Sequence, residues 1–340
     1  MQRKIRVGVI FGGMSEEHEV SIRSAESVMS HLDQDLYEVF PIKIEKTGAW
    51  VFQGIEDPLF SPQSLKKNFD VVFPVLHGPY GEDGTVQGLL ELSGVPFVGA
   101  DTLSSAMCMD KGVTKEMLKG AGLPTPKFLM LDSFDIEKVT ETFSSFPLFV
   151  KPARLGSSIG ISMVNAQDEL CMALEESFKH DHRVVVEEGI KGRELEVSVL
   201  GNKDPIVSLP GEIIPTHEFY SYEAKYLDEN GAKFVLPAKI SEEEVKTLQD
   251  MAKKAYLVMR CEGMARVDFF LCEKRGLLVN EINTIPGFTS ISLYPKLWEL
   301  SGIGYGKLLS RLIDLGMKRQ SRAYSQIEKL QLVPRKNCFK

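Results

Sequence analysis

The first hundred residues alternate short apolar runs with amphipathic stretches, and that alternation leaves a chain few ways to fold. Ile5–Phe11 and Phe69–Leu76 are almost continuously apolar, as strands covered on both faces are, and Tyr37–Ile44 reads as another strand. Gly12-Gly13 breaks the first run. Ser15 can then cap a helix whose apolar face is Ile22, Ala25, Val28, Met29 and Leu32, at helical spacing. Val86–Leu92 reads as a helix and Pro96–Val98 as a short strand. The alternation predicts an α/β fold that opens on a doubly wound, parallel-sheet unit of about 100 residues. Ligands of such sheets gather at the carboxyl ends of the strands. Here those ends carry Gly12–Glu17 and His77–Gly84.

Further along, the rhythm changes to a mixed α+β pattern. A helix over Asp110–Ala121 should stop at Gly122, ahead of Pro124-Thr125-Pro126. Leu148–Lys151, Val184–Glu188 and Glu194–Leu200 read as strands, with a helix near Asp168–Phe178. Thr216–Asn230 reads as a loop, of a length that is usually functional or mobile. Ser241-Glu242-Glu243-Glu244 is a capping box that opens a helix, and two helices near Leu293–Leu300 and Tyr305–Leu315 close the pattern.

Charge and cysteine usage narrow the class of protein. Forty Lys and Arg against 47 Asp and Glu give a net charge of −7, which does not suit non-specific nucleic-acid binding. The exception is 316–340, with seven basic side chains and one acidic. A solvated terminal segment is the favoured reading there, a phosphate- or RNA-binding arm the other. Five cysteines without a Cys-x-x-Cys pair point to reduced thiols in a cytosol. No run approaches the roughly 18 apolar residues of a membrane span, and the start does not read as a signal peptide. A soluble cytoplasmic protein is expected.

The sharpest local inference concerns Met264–Cys272 and Leu277–Thr284. If Glu273–Gly276 is a four-residue turn, Cys272 pairs with Leu277, Asp268 sits opposite Glu281, and Arg266 opposite Asn283. Period-two alternation then puts all four on one face, and Val267, Phe269, Leu271, Leu278, Asn280 and Ile282 on the other. Two facing carboxylates repel by roughly 0.2–1 kcal/mol. A hard divalent cation would compensate, and carboxylates with an amide oxygen are ligands that Mg²⁺ accepts. A wet, solvent-facing strand surface is the competing reading, and a one-residue slip would destroy the constellation.

Neither a Walker A motif nor Gly-x-Gly-x-x-Gly is present. Lys151 followed by Gly156-Ser157-Ser158-Ile159-Gly160 nevertheless offers a cation, hydroxyls and backbone N–H groups to a polyphosphate, although Gly-Ser loops are ordinarily just turns. Lys111 by itself reads as a surface lysine, Glu17 as an acid complementing a helix dipole, His77 as a turn residue and Tyr226 as a loop aromatic.

Seven stretches, GGMSEEHEVS (12–21), LHGPYGEDGTVQGLLEL (76–92), MDK (109–111), KPARLGSSIG (151–160), FYSYEAKY (219–226), ARVDFF (265–270) and NEINTIPGFTSISL (280–293), together resemble the D-alanine–D-alanine ligases, ATP-grasp enzymes of peptidoglycan synthesis. The resemblance spans roughly 5–315. It implies an N-terminal substrate-binding domain (1–109), a central (110–190) and a C-terminal (191–315) ATP-grasp subdomain, and a basic tail (316–340). It implies ATP as co-substrate, two Mg²⁺ with Mn²⁺ as substitute, and a homodimer. Lys111 and Lys151 would contact phosphates, with Gly156, Ser157 and Ser158 as a lid. Glu187, Ile190 and Glu194 would hold adenine and ribose, flanked by Phe219 and Phe270. Asp268, Glu281 and Asn283 would bind the metals. Glu17 would hold the first substrate's ammonium, tied to Ser157 and Tyr226, with His77 nearby. Arg266 and the Gly287 N–H would stabilise the oxyanion, and Lys225, Ser292 and Leu293 would surround the second substrate.

The implied reaction passes through an acyl phosphate, which demands charge neutralisation and exclusion of water. Relatives making D-alanyl-D-lactate carry histidine where this chain has Tyr226, and those using D-serine carry a cation where it has Leu293. Both positions here read as D-alanine, with a D-alanyl-D-lactate ligase as the alternative. Gly189 departs from the aromatic of some relatives. A nucleotide-linked oxidoreductase and a non-catalytic binding protein are the rival classes; the missing glycine fingerprint counts against the first, the intact set of site residues against the second.

Overall fold

The computed structural model describes residues 3–56, 62–156, 159–215 and 232–331. In the N-terminal part these run β1 (Ile5–Gly12), α1 (His18–His31), β2 (Tyr37–Ile44), β3 (Trp50–Phe52), β4 (Ile55–Glu56), α2 (Pro62–Asn68), β5 (Val71–Leu76), α3 (Thr85–Ser93) and α4 (Thr102–Met109). β1 lies between β2 and β5 and is parallel to both, in the order β4-β3-β2-β1-β5. The sheet is not parallel throughout, because β3 and β4 return antiparallel at its edge. The expected strand at Pro96–Val98 is reduced to a parallel bridge between Val72 and Phe97.

A second sheet is antiparallel and ordered β6-β9-β7-β8, from β6 (Phe128–Leu131), β7 (Leu148–Pro152), β8 (Ser162–Val164) and β9 (Val184–Glu188). The helices α5 (Lys111–Gly120), α6 (Ile136–Thr142) and α7 (Leu170–His180) accompany it. The third sheet takes β10 (Arg193–Gly201), β11 (Ile206–Val207), β12 (Gly211–Pro215), β13 (Ala232–Val235), β14 (Gly263–Cys272) and β15 (Gly276–Asn283). Its order is β13-β12-β10-β14-β15, with β11 on β10. α8 (Glu242–Val258) packs beneath it, opened by the expected capping box of Ser241 and Glu244.

Buried side chains on alternate strand positions weld these layers. Val197 and Val199 of β10 and Val267 and Phe269 of β14 meet Leu248, Ala252 and Tyr256 of α8 in one core. A second core joins β1, α1 and β5 to α9 (Leu293–Leu300) and α10 (Tyr305–Gln331) through Val9, Phe73, Trp298 and Leu308. Burying a side chain of this size contributes about 1.5–3 kcal/mol, so the two ends of the chain are held together by their apolar faces.

Two expectations about termini change. Ser15 does not cap α1: its hydroxyl donates to the His77 carbonyl at 2.6 Å and accepts from Glu17 N at 3.3 Å, and the helix begins at His18 with Glu17 at the N-cap position. The basic segment also does not leave the body at residue 316. α10 continues through it to Gln331. Arg319 lies over the Phe97 ring, 4.2 Å from its centre, and donates to the carbonyls of Phe97 and Gly99.

Candidate active site

The β14–β15 hairpin decides the site's geometry. Asp268 pairs with Glu281, and Arg266 with Asn283, as the alternation requires. At the turn, however, Cys272 pairs with Gly276 and Phe269 with Val279, one residue off the expected register. A bulge after Asp268 absorbs the difference. Its cause is visible in the sequence: a type of turn one residue shorter fits Glu273-Lys274-Arg275, and the extra residue goes to Asn280. Asn280 thereby leaves the core face and lines the cleft, while Val279 takes the buried position.

On β14 the site face is Arg266, Asp268 and Phe270, and the core face Ala265, Val267 and Phe269. β10 adds a neighbour that the sequence reading missed. Glu196 lies opposite Asp268, so carboxylates from three adjacent strands stand in one row. Arg266 sits among them. Its Nε and Nη2 each donate to Asp268 at 2.7 Å, and Nε lies 3.2 Å from Glu196. Burial works against the guanidinium's charge, but Asp268 and Glu196 hold it well above its ordinary range.

Across the cleft is a cluster of cations. Lys151, at the end of β7, donates to Glu187 of β9 at 2.9 Å. Lys115, one helical turn after Lys111 on α5, lies 3.3 Å from the other Glu187 oxygen, an ion pair without hydrogen-bond geometry. Both Lys115 and Glu187 are buried. Burial pushes the Glu187 carboxyl up, and the charges of Lys115 and Lys151 outweigh it, leaving it at about 2. Burial pushes Lys111 and Lys115 down. Lys111 ties its ammonium to the Leu155 carbonyl, at the base of the Gly-Ser loop. Lys115 was legible as a partner of Lys111, four positions on along one helix face.

A third group comes from the N-terminal sheet. Glu17 is buried at the start of α1, and a Cβ added to Gly156 would lie 3.4 Å from its Oε2, so Gly156 approaches this carboxylate closely. His77 follows β5 and faces Glu82 at 3.6 Å. Burial lowers the imidazole's pKa, but Glu82, Glu17 and the Ile285 carbonyl raise it further, so the net shift is upward. Gly287 and Ser292 come from the loop after β15. A Cβ on Gly287 would meet Ser292 Oγ at 2.6 Å, so a larger residue there has to displace that hydroxyl.

These groups line one cleft of about 240 Å³. Of the expected site residues, Glu17, His77, Lys111, Lys151, Gly156, Glu187 and Glu194 reach it from the first half of the chain and β10. Arg266, Asp268, Phe270, Glu281, Asn283, Gly287, Ser292 and Leu293 reach it from the second. Ile190 does not line it. Ser157, Ser158, Phe219, Lys225 and Tyr226, like the whole of the expected loop Thr216–Asn230, lie outside the described residues. Among the described residues no three His, Cys, Asp or Glu side chains are grouped to hold a metal. The fitting set is two carboxylates and an amide, Asp268, Glu281 and Asn283, all hard oxygen donors on one face. Among the described residues no helix is long and apolar enough to cross a membrane.

Comparison with known proteins bears on the family and the fold. Family models described as D-ala D-ala ligase N-terminus and D-ala D-ala ligase C-terminus match residues 6–100 and 117–314. A D-alanine–D-alanine ligase of Caldicellulosiruptor bescii is 45% identical over 95% of this chain and 98% of its own. The D-alanine–D-alanine ligase structure from Coxiella burnetii superposes with a TM-score of 0.86 at 38% identity, covering 97% of this chain and 99% of its own. The VanG D-Ala:D-Ser ligase from Enterococcus faecalis superposes at 0.84 with 38% identity, covering 92% and 100%.

Proposed function

The chain belongs to the D-alanine–D-alanine ligase family, and from that premise we propose that its cleft joins two D-alanines through an acyl phosphate formed with ATP. It is an ATP-dependent ligase of the ATP-grasp fold. The observation that carries the residue-level reading is the convergence of Glu17, the Lys111–Lys115–Lys151 cluster and the Arg266–Asp268–Glu281 face on one cleft.

In the first step the carboxylate of one D-alanine attacks the γ-phosphorus of ATP, a new O–P bond forms, and ADP leaves. Two anions must meet for this, and the three lysines supply positive charge where the polyphosphate enters. Glu187 keeps Lys115 and Lys151 in place within that cluster. Glu194 and Phe270 lie on the nucleotide's side of the cleft. Asp268, Glu281 and Asn283 would hold Mg²⁺, which would neutralise the β- and γ-oxygens when bound. Glu17 binds the first D-alanine's ammonium, with His77 beside it.

In the second step the amine of the other D-alanine attacks the acyl carbonyl, the C–N bond forms, and phosphate leaves. Arg266 and the Gly287 N–H face the oxygen that gains charge, the arrangement that stabilises an oxyanion. Ser292 and the Leu293 N–H receive the second carboxylate. Leu293 is buried with Ile213 and Leu297, an apolar surround that suits the methyl group of D-alanine. Residues 1–109 would hold the first D-alanine, with ATP clasped between 110–190 and 191–315. A homodimer and a cytoplasmic location complete this reading. Coupled release of ADP with D-alanine, ATP and Mg²⁺ tests it; the absence of D-alanine-dependent ADP would end it.

A further inference from the structure

The loop after β15 has no regular structure, contains Pro286-Gly287, and yet must aim a single backbone N–H. Its interior is tied by Ser292 Oγ, which accepts from Thr289 N at 3.0 Å and meets Thr289 Oγ1 at 2.8 Å. Those bonds lie within the loop and cannot orient it against the rest of the molecule. The external anchor adjoining Gly287 is Phe288. Its side chain is fully buried, edge-on to Phe73 of β5 at 5.8 Å and stacked on Tyr305 at 6.3 Å and 11°. Its backbone is held at both polar atoms. The N–H donates to Ser24 Oγ at 3.3 Å, and the carbonyl accepts from Tyr305 OH at 2.9 Å. Tyr305 OH in turn meets Ser27 Oγ at 2.9 Å.

Resting on the ligase reading above, we propose that Ser24 and Tyr305 are positioning residues that fix the Phe288 backbone from both sides and so aim the neighbouring Gly287 N–H into the cleft. Ser24 and Ser27 both belong to α1, whose N-terminus presents Glu17. Ser24 follows Glu17 by seven residues, about two helical turns. One rigid helix therefore references the group that holds the first substrate and the donor that meets the developing oxyanion. Precise placement of this kind is what a transition-state donor needs, since its contribution falls steeply with misalignment. Ser24 Oγ also lies 3.5 Å from His77 Nε2. Tyr305 OH meets α1 at Ser27, away from His77, which makes Tyr305→Phe the cleaner probe; it also keeps the ring stack.

The test is rapid-quench kinetics on the full chain with saturating ATP, Mg²⁺ and D-alanine, following ADP and dipeptide separately in the first turnover. Removing an oxyanion donor outright lowers kcat by about 100- to 1000-fold, so a misaimed one should lower it by about tenfold. In Tyr305→Phe and Ser24→Ala, dipeptide formation should fall by that factor while first-turnover ADP stays within about twofold of the parent. Either variant alone suffices, so poor folding of one leaves the other to decide. An unchanged dipeptide rate would overturn the inference, as would an equal fall in ADP and dipeptide. If the unaltered protein gives no D-alanine-dependent ADP, the ligase reading fails first and takes the inference with it.

Discussion

Replacing Glu187 by Gln isolates the electrostatics of the lysine cluster. The folded carboxyl titrates at about 2 against an ordinary 4.5, because Lys115 and Lys151 outweigh its burial. At about 1.4 kcal/mol per tenfold in proton affinity, that difference corresponds to roughly 3 kcal/mol at neutral pH. Breaking a buried ion pair from one side costs a similar amount, about 3–5 kcal/mol, since Lys115 would be left beside an uncharged amide. As pH falls, the unfolded chain takes up its proton first, so the stabilisation is full above about pH 4.5 and fades toward about pH 2. Urea unfolding of the parent and Glu187→Gln should therefore differ by roughly 3 kcal/mol at pH 7, and by less than half of that at pH 3. A difference that stays constant over this range, or one below about 0.5 kcal/mol at pH 7, would refute the assignment of Glu187 as the charge that organises the cluster.

Other consequences can be checked directly. Ser241→Ala removes the hydroxyl half of the capping box of α8, the acceptor for Glu244 N, and leaves the half made by the backbone N–H; it should cost about 1 kcal/mol in chemical denaturation. Gly287→Ala brings a Cβ to 2.6 Å from Ser292 Oγ, so kcat for dipeptide formation should fall at least tenfold, by the order of a lost oxyanion donor, with the thermal midpoint little changed. Arg319→Ala loses two carbonyl bonds and the contact over Phe97, and thermal unfolding should register a loss of about 1–3 kcal/mol. Chelation of divalent cations should abolish ADP formation, and Mg²⁺ or Mn²⁺ should restore it; activity that survives exhaustive chelation would remove the role given to Asp268, Glu281 and Asn283.

Much of the fold is written in local patterns. Tyr37–Ile44, Val184–Glu188 and Leu293–Leu300 have the boundaries their periodicity predicts, since each is a run whose own spacing decides its state. Short elements were not legible. The helix Ile136–Thr142 and the strand Ser162–Val164 carry too few residues for a period to emerge, and the helix Thr102–Met109 was not singled out either. Ser15 shows a second kind of failure. Its type and place suit a cap, but the carbonyl it serves belongs to His77, 62 positions away.

The hairpin shows where local reasoning stops. A four-residue turn was expected to set Asp268 against Glu281; the turn is one residue shorter, and the bulge after Asp268 restores that pairing. Period-two alternation misplaced Asn280, because a bulge is a compromise between the turn's preferred length and the core's claim on Val279.

By itself the sequence determined the α/β layering and the family, and it singled out side chains that the structure brings to one cleft, because residue type and short-range spacing suffice for these. Only the tertiary structure decided what those side chains meet. Glu196 stands beside Asp268 because β10 and β14 pair antiparallel, Lys115 reaches Glu187 because α5 lies against the central sheet, and Phe288 bonds to Ser24 of α1 across 264 positions of chain. Such contacts depend on the packing of distant layers, and no window along the chain contains both partners.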